Sequence, residues 1–275
     1  MFVIATDLDR TLLPNGNQEY DNSMHIFNEI VKREKPTLIY VTGRNLKEVK
    51  EAIIEYHAPL PTFLIAEVGT KIYIQKNGKF NEDKEWLDIV KSVTSNWNID
   101  KFKEELSIIK GIRIQEEEHQ NPFKLSFYLD KLDNAELIVK ECTKIIKSIS
   151  KDASVIFSID ETNNIGLLDI IPRNATKLRA LEYIRKNNGY KKEDIVYCGD
   201  SGNDILPLTF GYKSILVRNA INEVKKAVKS ICFEKNCTDT LYIAKGYGRL
   251  NGNYVSGIIE GLIRLNLVPE KKYIR

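Results

Sequence analysis

Residues 2–13 read Phe-Val-Ile-Ala-Thr-Asp-Leu-Asp-Arg-Thr-Leu-Leu, and this stretch decides the fold. It opens with a short apolar run, which is typical of a β-strand that is covered on both faces. Because side chains alternate along an extended chain, Asp7 and Asp9 should point to one side and Leu8 to the other. Two like charges this close repel, so the pattern predicts a cation between them, a metal ion first. The alternative is a pair of ordinary turn carboxylates after an edge strand.

The composition is that of a globular protein and argues against several classes of function. The chain has 275 residues, 43% of them hydrophobic and 29% charged, which suffices for one large domain or two smaller ones. A formal net charge of +3 gives no reason to expect nucleic acid or an anionic membrane as partner. We find no signal peptide and no apolar run that would span a bilayer. No zinc-like spacing relates the cysteines, so we expect free thiols and a cytoplasmic protein.

The order of predicted elements divides the chain into a core and an insert. Strands and helices alternate at first, and that β-α-β-α-β order predicts a parallel sheet with right-handed crossovers. We therefore predict an α/β protein with a Rossmann-like parallel-sheet core, split between residues 1–81 and 172–275. An inserted α+β cap domain is expected at 82–171. In the second part of the core, the pattern also predicts a helix over 222–229 and a short strand over 231–233.

Three apolar strands each run into a polar loop, and a parallel sheet brings such loops to one edge. The loops are Asp7-Leu8-Asp9, Thr42-Gly43-Arg44 and Gly199-Asp200-Ser201-Gly202-Asn203-Asp204. The four acids of this edge would repel one another unless a divalent cation lay among them, and oxygen ligands beside phosphate suit Mg²⁺. Thr42 and nearby backbone amides can bind phosphate oxygens. Lys177, at the start of a helix, offers its charge to the same phosphate.

These parts indicate phosphoryl transfer to a carboxylate nucleophile. Asp7 would attack phosphorus and form an aspartyl-phosphate. Mg²⁺ would screen the charges of the two anions as they approach. Asp9 would protonate the leaving alcohol and then deprotonate the water that hydrolyses the intermediate. The predicted catalytic residues are therefore Asp7, Asp9, Thr42 and Lys177, and the predicted metal site consists of Asp7, Asp9, Asp200 and Asp204.

The chain resembles the haloacid dehalogenase (HAD) superfamily of phosphatases, because it carries four motifs of that superfamily in order. They are Asp7-Leu8-Asp9-Arg10-Thr11, Thr42, Lys177 and the loop 199–204. The resemblance implies that Mg²⁺ is held by Asp7, by the backbone carbonyl of Asp9 and by Asp200, while Asp204 supports the metal and its waters. It also implies that the insert is the α/β cap of class IIB.

Within that class, the chain resembles sucrose-phosphate phosphatases. The resemblance is carried by Glu67-Val68-Gly69-Thr70, by residues 118–128, by the loop 199–204 and by Gly257-Ile258-Ile259-Glu260-Gly261-Leu262. In the third motif, relatives commonly have glycine where this chain has Leu178. The resemblance implies a small-molecule sugar phosphate as substrate, with sucrose 6-phosphate or a similar glycosyl phosphate first.

Predicted substrate contacts come from both the core and the cap. Those of the cap are Gln120 and Lys124, whose amide and ammonium groups suit polyols, although both also fit a solvated strand edge. Arg44 equally fits a salt-bridged arginine. The rival activities are a phosphatase of broader specificity, a phosphomutase and a non-catalytic metabolite-binding module. The predicted contacts of the core are Thr42, Gly43, Arg44, Lys177 and Asn203.

Overall fold

The structure is a computed structural model that describes residues 2–94, 96–160 and 163–273. Its strands are β1 (Val3–Thr6), β2 (Thr37–Val41), β3 (Phe63–Ala66), β4 (Lys71–Lys76), β5 (Lys79–Glu82), β6 (Ile112–Ile114), β7 (Leu125–Leu129), β8 (Ala153–Asp160), β9 (Ile165–Pro172), β10 (Ile195–Gly199), β11 (Lys213–Leu216) and β12 (Leu241–Ile243). Its helices are α1 (Met24–Glu34), α2 (Leu46–Glu55), α3 (Lys84–Ser92), α4 (Ile99–Leu106), α5 (Ala135–Ile149), α6 (Lys177–Asn187), α7 (Ile205–Leu208), α8 (Asn222–Glu234), α9 (Tyr254–Arg264) and α10 (Glu270–Tyr273). Among these helices, none combines the length and the apolar composition needed to cross a membrane.

The strands form two sheets. The larger sheet has the order β12-β11-β10-β1-β2-β3-β4-β5, and the smaller has the order β6-β7-β9-β8. Strands β1, β2, β3, β10, β11 and β12 are parallel, whereas β4 and β5 add an antiparallel edge. From β1, strands β2 and β3 are added towards one edge of the sheet, and β10, β11 and β12 are added later towards the other edge. Open α/β sheets bind ligands beyond the carboxyl ends of the strands at such a switch in strand order. The predicted Rossmann-like α/β class is therefore confirmed.

The central strand β1 is buried on both faces, as its unbroken apolar run predicts. Ile4 packs with residues of α1, α2 and α9 on one face. Val3 and Ala5 pack with residues of α6, α7 and α8 on the other face. Since all three side chains are inaccessible to solvent, β1 lies in the middle layer of an α/β/α sandwich and its end is held rigidly.

The smaller sheet is antiparallel and has its own core. Helices α4 and α5 cover one face, where Phe102 and Cys142 pack against Phe127 and Leu168 of the strands. Strand β8 lies against the larger part of the molecule, because a Cβ atom built on Gly202 would be 3.1 Å from the carbonyl oxygen of Phe157. The smaller sheet thus sits over the edge of the larger one as a cap.

Helix α3 lies inside the predicted insert, yet it packs on the larger sheet. Its Trp86 and Val90 belong to the same apolar cluster as Ile72 of β4 and Leu181 of α6. The indole N–H of Trp86 donates to the backbone oxygen of Gly69 at 3.0 Å. The domain boundaries at 82 and 171 stay a prediction, and the packing places α3 with the core.

The strand predicted over 231–233 is wrong. Helix α8 continues through these residues to Glu234, because Val224, Val228 and Cys232 share one buried helical face. Phe233 points outward and is 80% exposed. The sheet ends instead with the short strand β12, which the sequence analysis did not predict.

Candidate active site

Three loops of the larger sheet meet beyond the ends of β1, β2 and β10. Thr6, at the end of β1, is in register with Tyr40 of β2 and with Cys198 of β10. The backbone N–H of Asp7 donates to the Cys198 oxygen at 3.0 Å, which extends this pairing by one residue. The loops that begin at Asp7, Thr42 and Asp200 therefore share one edge of the sheet.

Lys177 joins these loops from the first turn of α6. Its Nζ donates to Asp7 Oδ1 at 2.8 Å, to Asp204 Oδ1 at 2.9 Å and to Asn203 Oδ1 at 2.8 Å. The residue is only 2% exposed. Burial alone lowers the pKa of the ammonium, but Asp204 and Asp7 outweigh this effect and the pKa is raised above its ordinary value. Lys177 therefore stays charged at physiological pH.

Asp7 and Asp200 are buried carboxyls in an acidic setting. Burial raises the pKa of Asp7 well above its usual range; Lys177 opposes the shift, and Asp204 and Asp200 add to it. Burial, helped by Asp204, raises the pKa of Asp200 to about 7, although Arg10 acts in the other direction. The ionised form of both groups is therefore costly unless a further cation is present.

Carboxylate oxygens of Asp7, Asp200 and Asp204 all lie within 4.8 Å of one another, so this acidic triad could bind a metal ion. Asp200 Oδ1 accepts from the Thr11 hydroxyl at 2.9 Å. Its Oδ2 lies 3.8 Å from Arg10 Nη2, beyond hydrogen-bond distance, and is therefore suited to bind a cation. An oxygen-ligand set with unbalanced negative charge suits Mg²⁺.

Asp204 is the member of the triad whose oxygens are already used. One oxygen accepts from Lys177 and, at 2.6 Å, from the Tyr197 hydroxyl. The other accepts from the backbone N–H groups of Asp200 and Ser201, both at 3.2 Å. Asp204 therefore fixes the loop and the lysine, a geometry that fits support of a metal site better than direct ligation.

The Asp9 carboxylate does not join the triad. Strand β1 ends at Thr6, so the alternation argument does not extend to Asp9, although both Asp7 and Asp9 line the same cavity. The Asp9 side chain is 40% exposed. It accepts from Arg44 Nε at 3.0 Å, from Arg44 Nη2 at 2.6 Å and from Asn15 Nδ2 at 2.6 Å.

The predicted contacts of the loop after β2 divide into two kinds. Thr42 is fully buried and does not line the cavity, and its hydroxyl oxygen accepts from the Arg44 N–H at 3.1 Å. Gly43 and Arg44 do line the cavity. Arg44 directs its guanidinium at Asp9, which is the salt-bridged arrangement that the sequence left open.

A cavity of about 600 Å³ lies between the acidic edge and the smaller sheet. This volume lies within the usual range of small-molecule sites. Lys124 and Asp169 line it from the cap, and Lys124 Nζ lies 3.7 Å from Asp169 and donates to the His119 oxygen at 3.0 Å. Asn203 lines it from the core.

Gln120 is predicted from sequence as a substrate contact, but it does not line the cavity. Its Nε2 donates to the backbone oxygens of Gln115 and Ser126, both at 3.0 Å, and its Oε1 accepts from the Ser126 N–H at 2.8 Å. The amide is thus occupied in shaping the turn before β7, and Gln120 is not among the cavity-lining residues.

Several cavity-lining side chains were missed from sequence. Asn15 and Tyr128 are two, and Asp169 is a third, which shares the cavity side of β9 with Leu167 and Ile165. The alternation of β9 could have found Asp169, because an acid flanked at two-residue spacing by apolar residues would face one side of a sheet. Asn15 carried no local signal.

The comparisons with known proteins agree with this fold. The model of the family described as Sucrose-6F-phosphate phosphohydrolase matches residues 1–266. A protein of Nitrosococcus oceani that is named only as a HAD-like hydrolase is 37% identical over 94% of this chain and 70% of its own length. The mannosylfructose-phosphate phosphatase of Agrobacterium fabrum is 25% identical over 97% of this chain and 98% of its own.

Plant relatives and a solved structure extend the comparison. Sucrose-phosphatase 1 of Nicotiana tabacum is 29% identical over 91% of this chain, which spans 60% of that protein's length. The structure of the sucrose-phosphatase of Synechocystis sp. PCC6803, solved with sucrose and phosphate, has a TM-score of 0.79. It is 22% identical over 96% of this chain and 98% of its own, a likeness that concerns the fold. Because the family match extends over 266 residues, the chain belongs to the sucrose-6F-phosphate phosphohydrolase family, whose members are HAD-superfamily phosphatases that act on phosphoric monoesters.

Proposed function

We propose that this protein hydrolyses the phosphate ester of an uncharged sugar, with sucrose 6-phosphate or a closely related glycosyl phosphate as substrate, in a Mg²⁺-dependent reaction through an aspartyl-phosphate. The observation that carries the proposal is the contact between Lys177 and Asp7 at the base of a polar cavity, beside the second buried acid Asp200. A buried, lysine-held carboxylate at the end of β1 is what a carboxylate nucleophile requires.

Asp7 is the proposed nucleophile. Lys177 donates to Oδ1 and leaves Oδ2 to attack phosphorus. The ammonium would bind an oxygen of the transferred group by exchanging it for one of its three present acceptors. Gly43, which lines the cavity, can offer its backbone N–H to the phosphate, and the buried Thr42 hydroxyl holds this loop by accepting from the Arg44 N–H. Asn203 holds the lysine from the other side.

The proposed metal ligands are Asp7, Asp200 and the backbone carbonyl of Asp9, with Asp204 holding the loop in place. When bound there, Mg²⁺ would neutralise charge on the phosphoryl oxygens. This chain's own residues support the assignment, since the pKa values of Asp7 and Asp200 are both raised in the absence of such a charge.

Asp9 is the proposed general acid and base. Its carboxylate is separate from the triad and faces the cavity, where the leaving alcohol of a substrate would lie. Arg44 and Asn15 hold the carboxylate from two sides. In the first step the protonated form of Asp9 would give its proton to the leaving oxygen, and in the second the resulting carboxylate would take one from the attacking water, which restores the protonated form.

The charges of the cavity favour a substrate whose organic part is neutral. Within the described residues, each lysine or arginine that lines it has a carboxylate nearby. Arg10 lies 3.8 Å from Asp200, and Lys124 lies 3.7 Å from Asp169. Polar groups without formal charge, such as Tyr128, Ser158 and Asn163, complete a wall that suits hydroxyl groups. A second phosphate group on the substrate would therefore find, among these described lining residues, no lysine or arginine that lacks a carboxylate partner.

The experiment is a phosphate-release assay with Mg²⁺ on sucrose 6-phosphate, mannosylfructose phosphate, glucose 6-phosphate, fructose 6-phosphate and fructose 1,6-bisphosphate. We expect a disaccharide monophosphate to give the highest kcat/KM and the bisphosphate the lowest. Turnover in ¹⁸O-labelled water should place the label in the released phosphate. Label-free transfer of phosphate to another sugar hydroxyl would favour a phosphomutase, and absence of turnover with any ester would favour a binding module. Mannosylfructose phosphate is the second candidate substrate, because the matching relative has nearly this chain's length.

A further inference from the structure

The loop after β3 contains three consecutive residues with left-handed backbone geometry. The φ angles are +52° at Glu67, +62° at Val68 and +111° at Gly69. For a β-branched residue such as Val68, this conformation is a genuine outlier. Such geometry persists only where the surroundings impose it, and it concentrates at functional sites.

The core imposes this geometry through two of the loops that form the active site. The N–H of Glu67 donates to the Arg44 oxygen, and the N–H of Val68 donates to the Thr42 oxygen, both at 3.0 Å. A Cβ atom on Gly69 would lie 2.5 Å from the carbonyl carbon of Thr176, the residue before Lys177. The left-handed loop therefore contacts the backbone of the loop after β2 and the backbone of the residue before Lys177. Both of these segments belong to the proposed phosphate site.

The side chain of Asn121 connects the cap to this loop. Its Nδ2 donates to the Glu67 carboxylate and, at 3.1 Å, to the Thr70 hydroxyl. Its Oδ1 accepts from the Phe123 N–H at 2.6 Å. The backbones of Asn121 and Lys124 also exchange two hydrogen bonds of 3.1 Å, so the amide that meets the core is rigidly attached to a lysine that lines the cavity.

The Glu67 carboxylate depends on this contact. The residue is only 7% exposed, and a buried carboxylate needs donors for its oxygens. Lys71 Nζ lies 3.1 Å from Glu67 Oε1, and Asn121 Nδ2 donates to Glu67 Oε2. Withdrawal of the cap would leave Oε2 without its donor on the side that the cap covers.

We propose that Asn121 is a positioning residue: by donating to Glu67 and Thr70 it fixes the Lys124 turn at the cavity and couples the seated cap to the Thr42–Arg44 loop. The inference rests on the proposed function for its catalytic consequence. It implies that Asn121 matters for substrates whose organic part reaches the cap, and hardly at all for phosphate esters too small to do so.

The decisive variant is Asn121→Asp. It keeps the shape of the side chain and the acceptor for Phe123, but it sets a carboxylate against that of Glu67 in place of a donor. Because a hydrogen bond to a charged group is lost and a repulsion is gained, we expect kcat/KM for sucrose 6-phosphate to fall by about tenfold or more. Activity on p-nitrophenyl phosphate should stay within about twofold, since that ester makes no use of the cap.

The matched control is Asn98→Asp, the same substitution elsewhere in the cap. Asn98 caps α4 by accepting from the Lys101 N–H at 3.0 Å, and aspartate performs that role equally well. Its activity on both esters should equal that of the unaltered protein. The double variant Asn121→Asp/Glu67→Gln restores a donor opposite the acceptor and should recover most of the sugar-phosphate activity. Equal losses on the two esters, or no recovery in the double variant, would overturn the proposal.

Hydrogen exchange tests the contact without any substrate. In Asn121→Asp we expect faster exchange of the amides of Lys124 and Val68 than in Asn98→Asp, because both are held by bonds that the contact supports. Unchanged exchange at both amides would refute the coupling. Should the unaltered protein hydrolyse p-nitrophenyl phosphate but no sugar phosphate, the proposed substrate class would fail, whereas the exchange result would still decide the role of Asn121.

Discussion

The guanidinium of Arg44 donates to both oxygens of the Asp9 carboxylate, with two bonds of 3.0 Å from Nε and one of 2.6 Å from Nη2. Arg44 belongs to the loop after β2, and Asp9 belongs to the loop after β1. The pair therefore ties the proposed general acid to a neighbouring strand. The orientation of Asp9 depends on a residue that the sequence presented as a substrate contact.

Substitution Arg44→Gln should affect the two kinds of ester differently. Without the guanidinium, Asp9 is free to leave the position from which it protonates the alcohol. General acid catalysis contributes at least about 100-fold for a poor leaving group, so we expect kcat on the sugar phosphate to fall by about that factor. p-Nitrophenyl phosphate, whose leaving group needs no proton, should lose much less.

The control for Arg44→Gln is Arg33→Gln, because Arg33 forms an exposed pair with Glu29 at 2.9 Å and lies in α1. Its steady-state kinetics should be unaltered on both esters. An equal loss on the two esters in Arg44→Gln, confined to KM, would instead assign Arg44 to binding of the phosphate that both share.

Substitution Asp7→Asn should abolish turnover and preserve the fold. The amide can still accept from Lys177 but cannot attack phosphorus, and loss of a nucleophile typically costs at least about 10⁴-fold in kcat. Phosphate release measures the rate, and circular dichroism with calorimetric titration of sucrose 6-phosphate monitors fold and binding. A variant that kept the original rate would show that another group attacks.

Substitution Lys177→Gln should lower stability as well as activity. The buried carboxylates of Asp7 and Asp204 would lose the ammonium that lies between them. Removal of one partner from a buried ion pair costs about 3 kcal/mol or more, which urea denaturation in EDTA can measure. Lys186→Gln, at an exposed position in the last turn of the same helix, should change stability by less than about 0.5 kcal/mol. Similar losses in the two variants would contradict the role of the buried network.

The pH dependence of stability should change when Mg²⁺ is added. The pKa of Asp200 is raised from 3.8 to about 7, so the folded protein holds more protons than the unfolded chain between these values. The free energy of unfolding in EDTA should therefore fall as pH rises from about 4 to about 7. A metal ion competes with these protons, and its stabilising effect should be larger at pH 8 than at pH 5.

Thermal denaturation with and without Mg²⁺ at the two pH values measures this effect. In Asp200→Asn the rise in Tm that Mg²⁺ causes at pH 8 should be lost or strongly reduced, while exposed-site variants such as Lys186→Gln should retain it. If Mg²⁺ raised the Tm of the unaltered protein equally at pH 5 and pH 8, this would argue against binding of Mg²⁺ by ionised carboxylates.

Substitution Gly69→Ala should destabilise the protein more than Gly78→Ala. Both glycines have left-handed φ, but an added Cβ meets Thr176 backbone at 2.5 Å in the first case and nothing within 4 Å in the second. We expect about 1 kcal/mol for Gly78→Ala from backbone conformation alone, and about 2 kcal/mol more for Gly69→Ala from the clash. Equal losses in urea denaturation would show that the loop can move away from Thr176.

Much of the fold could be predicted from the sequence, because the strands that matter are buried on both faces and read as unbroken apolar runs. The positions of Asp7, Thr42 and Asp200 could also be predicted, because these residues directly follow such strands, and that of Lys177 could be predicted because it lies at a helix start. Short elements were harder. Three apolar residues near position 232 fit a strand or a helix equally, and only the buried face of α8 decides between them.

The contacts of the side chains could not be predicted in the same way. That Arg44 meets Asp9, that Gln120 binds backbone rather than the cavity, and that Asn121 reaches Glu67 all depend on distances between segments remote in sequence. Residue type and spacing give the chemistry that a group can perform, but the partner that it meets is set by tertiary packing.

The close approach of Gly202 to strand β8 limits which residues the acidic loop can hold at this position. The φ angle of Gly202 is not one that demands glycine, and its own loop would accept a methyl group; the obstacle is the Phe157 oxygen, 3.1 Å from where a Cβ would lie. A mutation to alanine would require β8 to retreat by a few tenths of an ångström. The residue type at position 202 of the acidic loop and the path of β8, some 45 positions earlier in the chain, therefore constrain each other, since a larger side chain at 202 requires β8 to shift.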